Sequence, residues 1–337
     1  MTFAWGQTSS YVDDKVAGEI LGAMMDFCPE RPMRIDTARI YAGGNSEVML
    51  GRVLRSLEGE SPIIGSKAHP SQPDGLSPAG IQAQLEASLD AVGAAKFGEF
   101  YLHQPDTENP LLGSLEALHD LVNQGKVEAI GMSNYHVSEV RRAFDLCEEN
   151  GLHKPKVYQG LYNPLNRKIE DHLLPLLREE GCSFVAYNPL AAGLLTGKHT
   201  SGGDVKEGRF KDNPNYLPRF YTPSHFAAVD IIQNACVEAN ISMVEASYRW
   251  LLRHSALARD DGLLLGASDI NQLRQNLNAC KGAEAAELPQ SMLDAFDAAY
   301  QIVAKDNPFP YWRSYSSDMP DRESLDQGAS YSAAKAK

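Results

Sequence analysis

No two cysteines in this chain are spaced as CxxC. The five present (Cys28, Cys147, Cys182, Cys236 and Cys280) are scattered, as buried small apolar residues in a reducing compartment would be. The nine histidines include no HxxxH or HxH spacing, so no metal site is expected. Long apolar runs are missing too, which excludes a membrane-spanning helix. The opening "MTFAWGQTSSYVDDK" has no basic stretch followed by an apolar one. No secretory signal is read there, and a cytoplasmic location is expected. Positive charge is scarce: 31 Lys and Arg face 44 Asp and Glu, a formal net charge of -13. Neither nucleic acid nor an anionic membrane is an expected partner. Any anionic ligand must be held by a local cluster of cations.

What the chain does have is an alternation of short apolar runs and longer amphipathic segments. The strand candidates are 2–6, 33–36, 62–68, 97–104, 127–133, 156–160, 183–189 and 262–268. Between them, 81–94 puts Ile81, Leu85, Leu89 and Val92 on one helical face. Segments 111–125 and 137–151 are helical patterns closed by Gly125 and Gly151. Strands alternating with helices imply βαβ units and a parallel sheet. Eight such strands suit a (β/α)8 barrel. A doubly wound sheet is the competitor, but no strand is followed by GxGxxG. With no repeat and no Pro/Gly-rich linker, residues 1–313 are read as one barrel domain. The polar, Ser-rich stretch 314–337 is read as an extended or disordered tail.

In such a barrel the loops after the strands carry the chemistry. Asp36 ends the run 33–36, Lys67 stands in "IIGSKAHP", His103 stands in "FYLHQPD", and Tyr41 lies just past Asp36. Each alone has a bland reading as a cap, a solvated cation, a core histidine or packing. On successive strands of one closed sheet, the four converge. They suit carbonyl reduction, in which hydride addition leaves negative charge on oxygen and calls for a proton donor. A tyrosine is a poor acid near neutrality, with a reference pKa of about 10. A neighbouring ammonium lowers that value, and an aspartate keeps the ammonium in place. Tyr41 is thus the expected acid, Lys67 and Asp36 tune it, and His103 orients the substrate oxygen.

Taken together, "RIDTARIYAGGNSEVMLGRVL", "GSKAHP", "FYLHQPD", "IGMSNY", "VYQGLYNP" and "NPLAAGLLTGK" closely resemble the aldo-keto reductase superfamily, most of all its aflatoxin-aldehyde reductase branch. The resemblance runs through residues 2 to 313 in order. It implies that Asp36, Tyr41, Lys67 and His103 are the catalytic tetrad and that NADPH is the hydride donor. It further implies that Ser133, Asn134 and Gln159 hold the nicotinamide carboxamide and that Tyr187 stacks on the ring. By themselves, Ser133 and Asn134 read equally well as helix caps. The segment from Asn188, Pro189 and Leu190 through Gly193, Leu195 and Gly197 to Lys198 has small residues that let backbone N–H groups approach a pyrophosphate. Arg209 maps to a cofactor-phosphate contact. In "GASDINQLRQN", Gly266, Ser268, Gln272 and Asn276 fit the adenosine side, and free N–H groups at the start of the following helix suit a phosphate.

At the substrate end, Tyr216, Arg219 and Arg313 match substrate-contacting positions of the family, beside His103. Arginines there suit a carboxylate-bearing or dicarbonyl substrate, since a planar fork recognises carboxylates bidentately. The branch forms dimers, so a homodimer is expected. Two departures stand out. Members start with a β-hairpin that plugs the barrel floor, whereas this chain opens almost directly on its first strand, as if N-terminally shortened. The tail after Arg313 also runs past the family's usual end. The alternative to an enzyme is a cofactor-binding regulatory subunit like the potassium-channel β subunits, which resemble the same superfamily and keep a tetrad. A barrel hydrolase or lyase using Asp36 and His103 fits the cofactor motifs less well.

Overall fold

Seven short parallel strands alternate with helices in the computed structural model, which describes residues 3–4, 11–27, 29–30, 32–57, 59, 61–199, 201, 203, 208–211, 213, 216–306 and 309–329. The strands are β1 (Arg34–Asp36), β2 (Ile63–Ala68), β3 (Phe97–Leu102), β4 (Val127–Ser133), β5 (Val157–Leu161), β6 (Ser183–Tyr187) and β7 (Gly262–Leu263). The helices are α1 (Asp14–Phe27), α2 (Asn45–Leu54), α3 (Pro78–Val92), α4 (Leu111–Asn123), α5 (Val137–Glu149) and α6 (Leu173–Glu179). They continue as α7 (Leu217–Phe220), α8 (Pro223–Ala239), α9 (Met243–Arg249), α10 (Ile270–Ala285) and α11 (Gln290–Asp306).

Strand order follows chain order from β1 to β7, every pair parallel. A doubly wound sheet would reverse its order at a switch point; this one does not, and the fold is a (β/α)8 barrel. The first expected strand, 2–6, falls mostly outside the described residues, and Phe3 and Ala4 lie in a turn. The last is shorter than its apolar run: Leu264 N still donates to Ala186 O at 2.9 Å, and the ladder then ends. Beyond that point Ser268 is turned toward its own helix, where its backbone N and Oγ both lie 3.1 Å from Gln272 Oε1.

Local chemistry accounts for the helices. Ser77 Oγ accepts from Gly80 N at 3.1 Å, Pro78 takes the first helical position of α3, and Gly93 ends it at φ 75°. The expected stripe is inward: Ile81, Leu85 and Val92 are buried and Leu89 is half-buried. Gly125 and Gly151 close α4 and α5 at φ 70° and 65°, as their positions predict. Gly51 has a packing role as well, because a Cβ there would stand 2.4 Å from Ala91 O, where α2 crosses α3.

The described part of the polar tail, 314–329, lies against the barrel. Ser316 N donates to buried Glu139 Oε1 at 2.8 Å, Asp318 pairs with Arg142, and Tyr315, Ser316 and Ala329 are buried. Among the described residues no helix is long and apolar enough to cross a membrane. Cys147, Cys182 and Cys236 are buried free thiols and Cys280 is half-buried, while Cys28 lies outside the described residues.

Buried histidines make the fold acid-sensitive, and His225 is one that lies away from the strand-end residues. His225, in the first turn of α8, is fully buried with Nδ1 2.8 Å from Thr222 Oγ1, and burial pulls its pKa from 6.5 down to about 4. The unfolded chain binds the proton first, so this stabilisation is complete above 6.5 and is lost as pH falls toward about 4. Its full size is roughly 3 kcal/mol. Urea unfolding across that window should therefore show a shallower loss of stability in His225→Gln than in the parent chain. Parallel slopes would mean that this imidazole does not govern the acid limb.

Candidate active site

Asp36 stands at the end of β1 and pairs in register with Gly65 of β2, two residues before Lys67. The fully buried Lys67 donates through Nζ to Asp36 Oδ1 at 2.6 Å and to Thr37 O at 2.7 Å. Gln159, from β5, donates to the same Asp36 oxygen at 2.8 Å. Beyond Asp36 the chain turns through Tyr41–Gly44 and enters α2 at Asn45. Ala42, Gly43 and Gly44 all have positive φ. Gly44 suits its φ of 93°, a conformation that favours glycine, and a Cβ there would also meet the Arg39 guanidinium. Arg39 in turn is clamped at 2.7 Å by buried Glu47, which accepts from Ser66 Oγ at 2.6 Å and Ser88 Oγ at 3.1 Å. This network ties the Tyr41 turn to β2 and α3.

Tyr41 thereby meets both remaining candidates. Lys67 Nζ lies 5.5 Å from its ring centroid, and the His103 ring stands edge-on to it at 5.7 Å. The expected tetrad comes together in space. Its electrostatics differ from the expectation in one respect. Burial, reinforced by Asp36, holds the Tyr41 phenol well above its usual value, and Arg209 opposes the rise. Desolvation thus outweighs the cations. Burial also holds Lys67 below the usual amine value, with Asp36 pulling it back up. His103 is kept well below its usual value by burial and by neighbouring His69, Lys67 and Arg313. It is a neutral imidazole, and its buried Nδ1 has no hydrogen-bond partner among the described residues.

Two neighbours escaped the sequence reading. His69 sets its ring edge-on to His103 at 5.1 Å and is itself held at about 4 by burial. Tyr101 lies under the same ammonium, with Lys67 Nζ 5.4 Å from its centroid. Gly131 of β4 makes room for that ring, since a Cβ there would sit 2.3 Å from Tyr101 Cδ1. The signal for His69 was its place two residues after Lys67 in "SKAHP"; nothing in the sequence marked Tyr101.

Four of the positions assigned to a dinucleotide, Ser133, Asn134, Gln159 and Tyr187, are tied to this centre by hydrogen bonds. Ser133 and Asn134 are buried, and they do not cap α5, whose N-cap is His136. Asn134 has φ 63° and donates to His103 O at 2.8 Å, while Tyr187 OH donates to Asn134 Oδ1 at 2.8 Å. From Asn188 to Gly197 the backbone repeatedly enters positive φ, at Asn188, Ala191, Ala192, Gly193 and Gly197. For the two alanines that is strain, which tends to be kept at ligand sites. A Cβ at Gly193 would face open space, so the backbone there leaves room for a pyrophosphate, and the small residues fit the group. Pro189 and Leu195 are buried, Leu190 is half-buried and Lys198 is exposed, and Leu195 N already donates to Leu190 O at 3.1 Å.

The adenosine end departs from the expectation. Gly266 is exposed at its edge, Ser268 and Asn276 are buried, and Asn276 donates to Gly266 O at 3.3 Å. The first-turn N–H groups of α10 are not free. Asp269 Oδ1 accepts from Asn271 N at 2.9 Å and Gln272 N at 3.0 Å. An Asp in the N-cap position is a strong capping signal that "SDINQ" already carried.

At the substrate end, three arginines surround one phenol. Arg209 NH1 lies 3.4 Å from Tyr216 OH and 3.5 Å from Asn188 Oδ1. Arg219 stacks on Phe309 at 4.1 Å and faces the Tyr216 ring at 6.0 Å. Burial pushes the Tyr216 phenol up, but Arg209, Arg219 and Arg313 outweigh it and leave it below the usual value. Despite the chain's acidic balance, this wall favours negative charge.

The sequence pattern of the Aldo/keto reductase family matches residues 2–301. Aflatoxin B1 aldehyde reductase member 2 of Rattus norvegicus is 39% identical over 288 residues, covering 81% of this chain and 78% of the relative. Aldo-keto reductase family 7 member A3 of Homo sapiens is 38% identical, covering 81% of this chain and 86% of the relative. Among solved structures, a glycerol dehydrogenase from Gluconobacter oxydans superposes with a TM-score of 0.70 at 23% identity, over 93% of each chain. That likeness speaks for the fold.

Proposed function

The chain belongs to the aldo/keto reductase family and is an oxidoreductase acting on aldehydes; from that premise we propose an NADPH-dependent aldehyde reductase in which Tyr41 donates the proton. The observation that carries this reading is the convergence of a buried, protonated Tyr41, the Lys67–Asp36 pair and a neutral His103. Bound NADPH would supply a hydride to the carbonyl carbon. Ser133, Asn134, Gln159 and Tyr187 would hold its nicotinamide end and the 188–198 backbone its pyrophosphate. Ser268, Gln272 and Asn276 would hold its adenosine end.

His103 orients the carbonyl oxygen by a hydrogen bond from a neutral ring, which avoids a second cation beside Lys67. Tyr41 gives its proton to the oxygen as negative charge develops there. The phenolate left behind faces the Lys67 ammonium at 5.5 Å from the ring centroid, and Asp36 keeps that ammonium charged and in place. Tyr216, Arg219 and Arg313 face the substrate, and their positive field favours one that carries a carboxylate. Residues 1–313 are taken as one barrel domain working in the cytoplasm as a homodimer, a reading supported by the scattered reduced cysteines and the family likeness.

NADPH oxidation with 4-nitrobenzaldehyde and a panel of carboxylate-bearing and neutral aldehydes, run beside NADH, is the direct test. Turnover with NADPH is expected. Tight NADPH binding with no turnover across the panel would sink the enzyme reading in favour of a regulatory subunit.

A further inference from the structure

β2 and β3 run parallel, with Lys67 opposite Tyr101 and Ala68 opposite Leu102. The next position on each chain is a histidine, His69 on one and His103 on the other. The pairing still reaches them, since His103 N donates to Ala68 O at 3.0 Å. Residues two apart on a strand share a face, so His69 follows Lys67 and His103 follows Tyr101 on one side of the sheet. The two imidazoles meet edge to face, with centroids 5.1 Å apart and planes at 89°. Tyr41 is the other ring against His103, at 5.7 Å and 80°. The buried Nδ1 of His103 has no hydrogen-bond partner among the described residues, so packing holds that edge of the ring.

His69 is itself held from three directions. Pro70 takes the second position of a turn closed by Gln72 N, which donates to His69 O at 3.1 Å. Buried Gln84, from α3, brackets the residue: His69 N donates to Gln84 Oε1 at 2.8 Å, and Gln84 Nε2 donates to His69 O at 3.3 Å. Ser71 fixes the ring, because its N–H donates to His69 Nδ1 at 3.1 Å and its hydroxyl lies 2.8 Å from the same nitrogen. A backbone N–H can only donate, so Nδ1 is the acceptor and the ring proton sits on Nε2. Burial, with Arg313, holds the pKa at about 4 and keeps this ring uncharged in the neutral range.

We propose that His69 is the positioning residue of His103: a ring of fixed tautomer, locked to the turn after β2, against which the His103 imidazole rests while it orients the carbonyl oxygen. The proposal rests on the reductase reading and deepens it. The other neighbours do not set the plane of that ring. Lys67 gives its hydrogen bonds to Asp36 and Thr37 O, and Asn134 bonds the His103 backbone. An edge-to-face pair does fix relative orientation, because the positive edge of one ring prefers the negative face of the other. His69 thus has two separable tasks: Nδ1 serves the turn through Ser71, and the ring serves His103.

Two substitutions in the full-length chain divide these tasks. His69→Asn keeps an acceptor for Ser71 N, as asparagine does in an Asx turn, and removes the ring. His69→Phe keeps a ring and removes the acceptor. His69→Asn should lower kcat/KM about 10-fold, the upper span of one edge-to-face pair. The loss should be equal for 4-nitrobenzaldehyde and for carboxylate-bearing aldehydes, with melting temperature and NADPH affinity near those of the parent. His69→Phe should recover most of the rate while melting lower than His69→Asn. Rates that follow melting temperature instead of the ring, or equal losses in both variants, overturn the proposal. Histidine-selective NMR supplies a readout free of turnover, with the His103 signal assigned by its loss in His103→Gln. That signal should be single and sharp in the parent and in His69→Phe, and broadened or doubled in His69→Asn as the ring samples further orientations. A His103 signal unchanged in His69→Asn defeats the positioning role even where aldehydes turn over. The expected NMR pattern without any aldehyde turnover defeats the reductase reading and leaves the ring contact standing.

Discussion

Tyr41→Phe should lower kcat for aldehyde reduction by roughly 10³-fold, within the span that a positioned general acid contributes, while NADPH affinity stays within about twofold. The substitution removes one oxygen and leaves the ring in place between Lys67 and His103. A hydride acceptor then keeps its hydrogen bond from His103 but loses the group that gives it a proton. Burial and Asp36 hold the phenol well above its usual value, so the parent enzyme keeps its donor protonated throughout the neutral range. Measuring kcat by NADPH oxidation and affinity by quenching of intrinsic fluorescence separates the two effects. A variant that retained most of its turnover would move the donor role away from Tyr41.

Asp36→Ala carries the largest expected stability effect. Lys67 is wholly buried, and among the described residues it is held by Asp36 and the carbonyl of Thr37. Removing one member of a buried ion pair costs roughly 3–5 kcal/mol, because the other charge is left uncompensated. Lys67 is already held below the usual amine value by burial, with Asp36 the first group that pulls it back up, so the variant lowers it further. A depressed amine gives up its proton more readily in the folded state than in the unfolded one. The deficit is therefore largest below the folded value and shrinks as pH rises toward 10.5, where the unfolded chain also loses its proton. Urea unfolding at neutral and alkaline pH checks both the size and the direction. Asp36→Leu combined with Lys67→Met should recover most of the stability and none of the turnover. A double variant as unstable as Asp36→Ala would mean that lost packing, not stranded charge, sets the penalty.

Much of the barrel was legible because hydrophobic periodicity is a local property. The stripe Ile81, Leu85, Leu89 and Val92 and the closing glycines 125 and 151 declare helices wherever the chain goes. The strand ends were legible for the same reason, and with them Asp36, Lys67 and His103. The run 262–268 misled because apolar content says nothing of where a ladder stops, and pairing with β6 ends at Leu264. At α10 the N-cap Asp269 was present in the sequence, and its consequence for the first-turn N–H groups became plain only with its hydrogen bonds in view. The composition of 314–329 reads as solvated chain, yet Ser316 is buried. Its partner Glu139 lies 177 residues away, and no local pattern encodes such a contact.

By itself, then, the sequence determined that strands and helices alternate, which strands end in ionisable residues, and that the set of motifs is that of a carbonyl reductase. The tertiary structure decided how those groups behave. Desolvation keeps Tyr41 protonated and His103 neutral, the opposite balance from the one a lysine beside a tyrosine suggests on paper. It also decided that an acidic chain presents three arginines around Tyr216. The physical reason is the same in each case. Composition and spacing are read along the chain, whereas burial and charge proximity depend on residues brought together from many strands, and those set the chemistry.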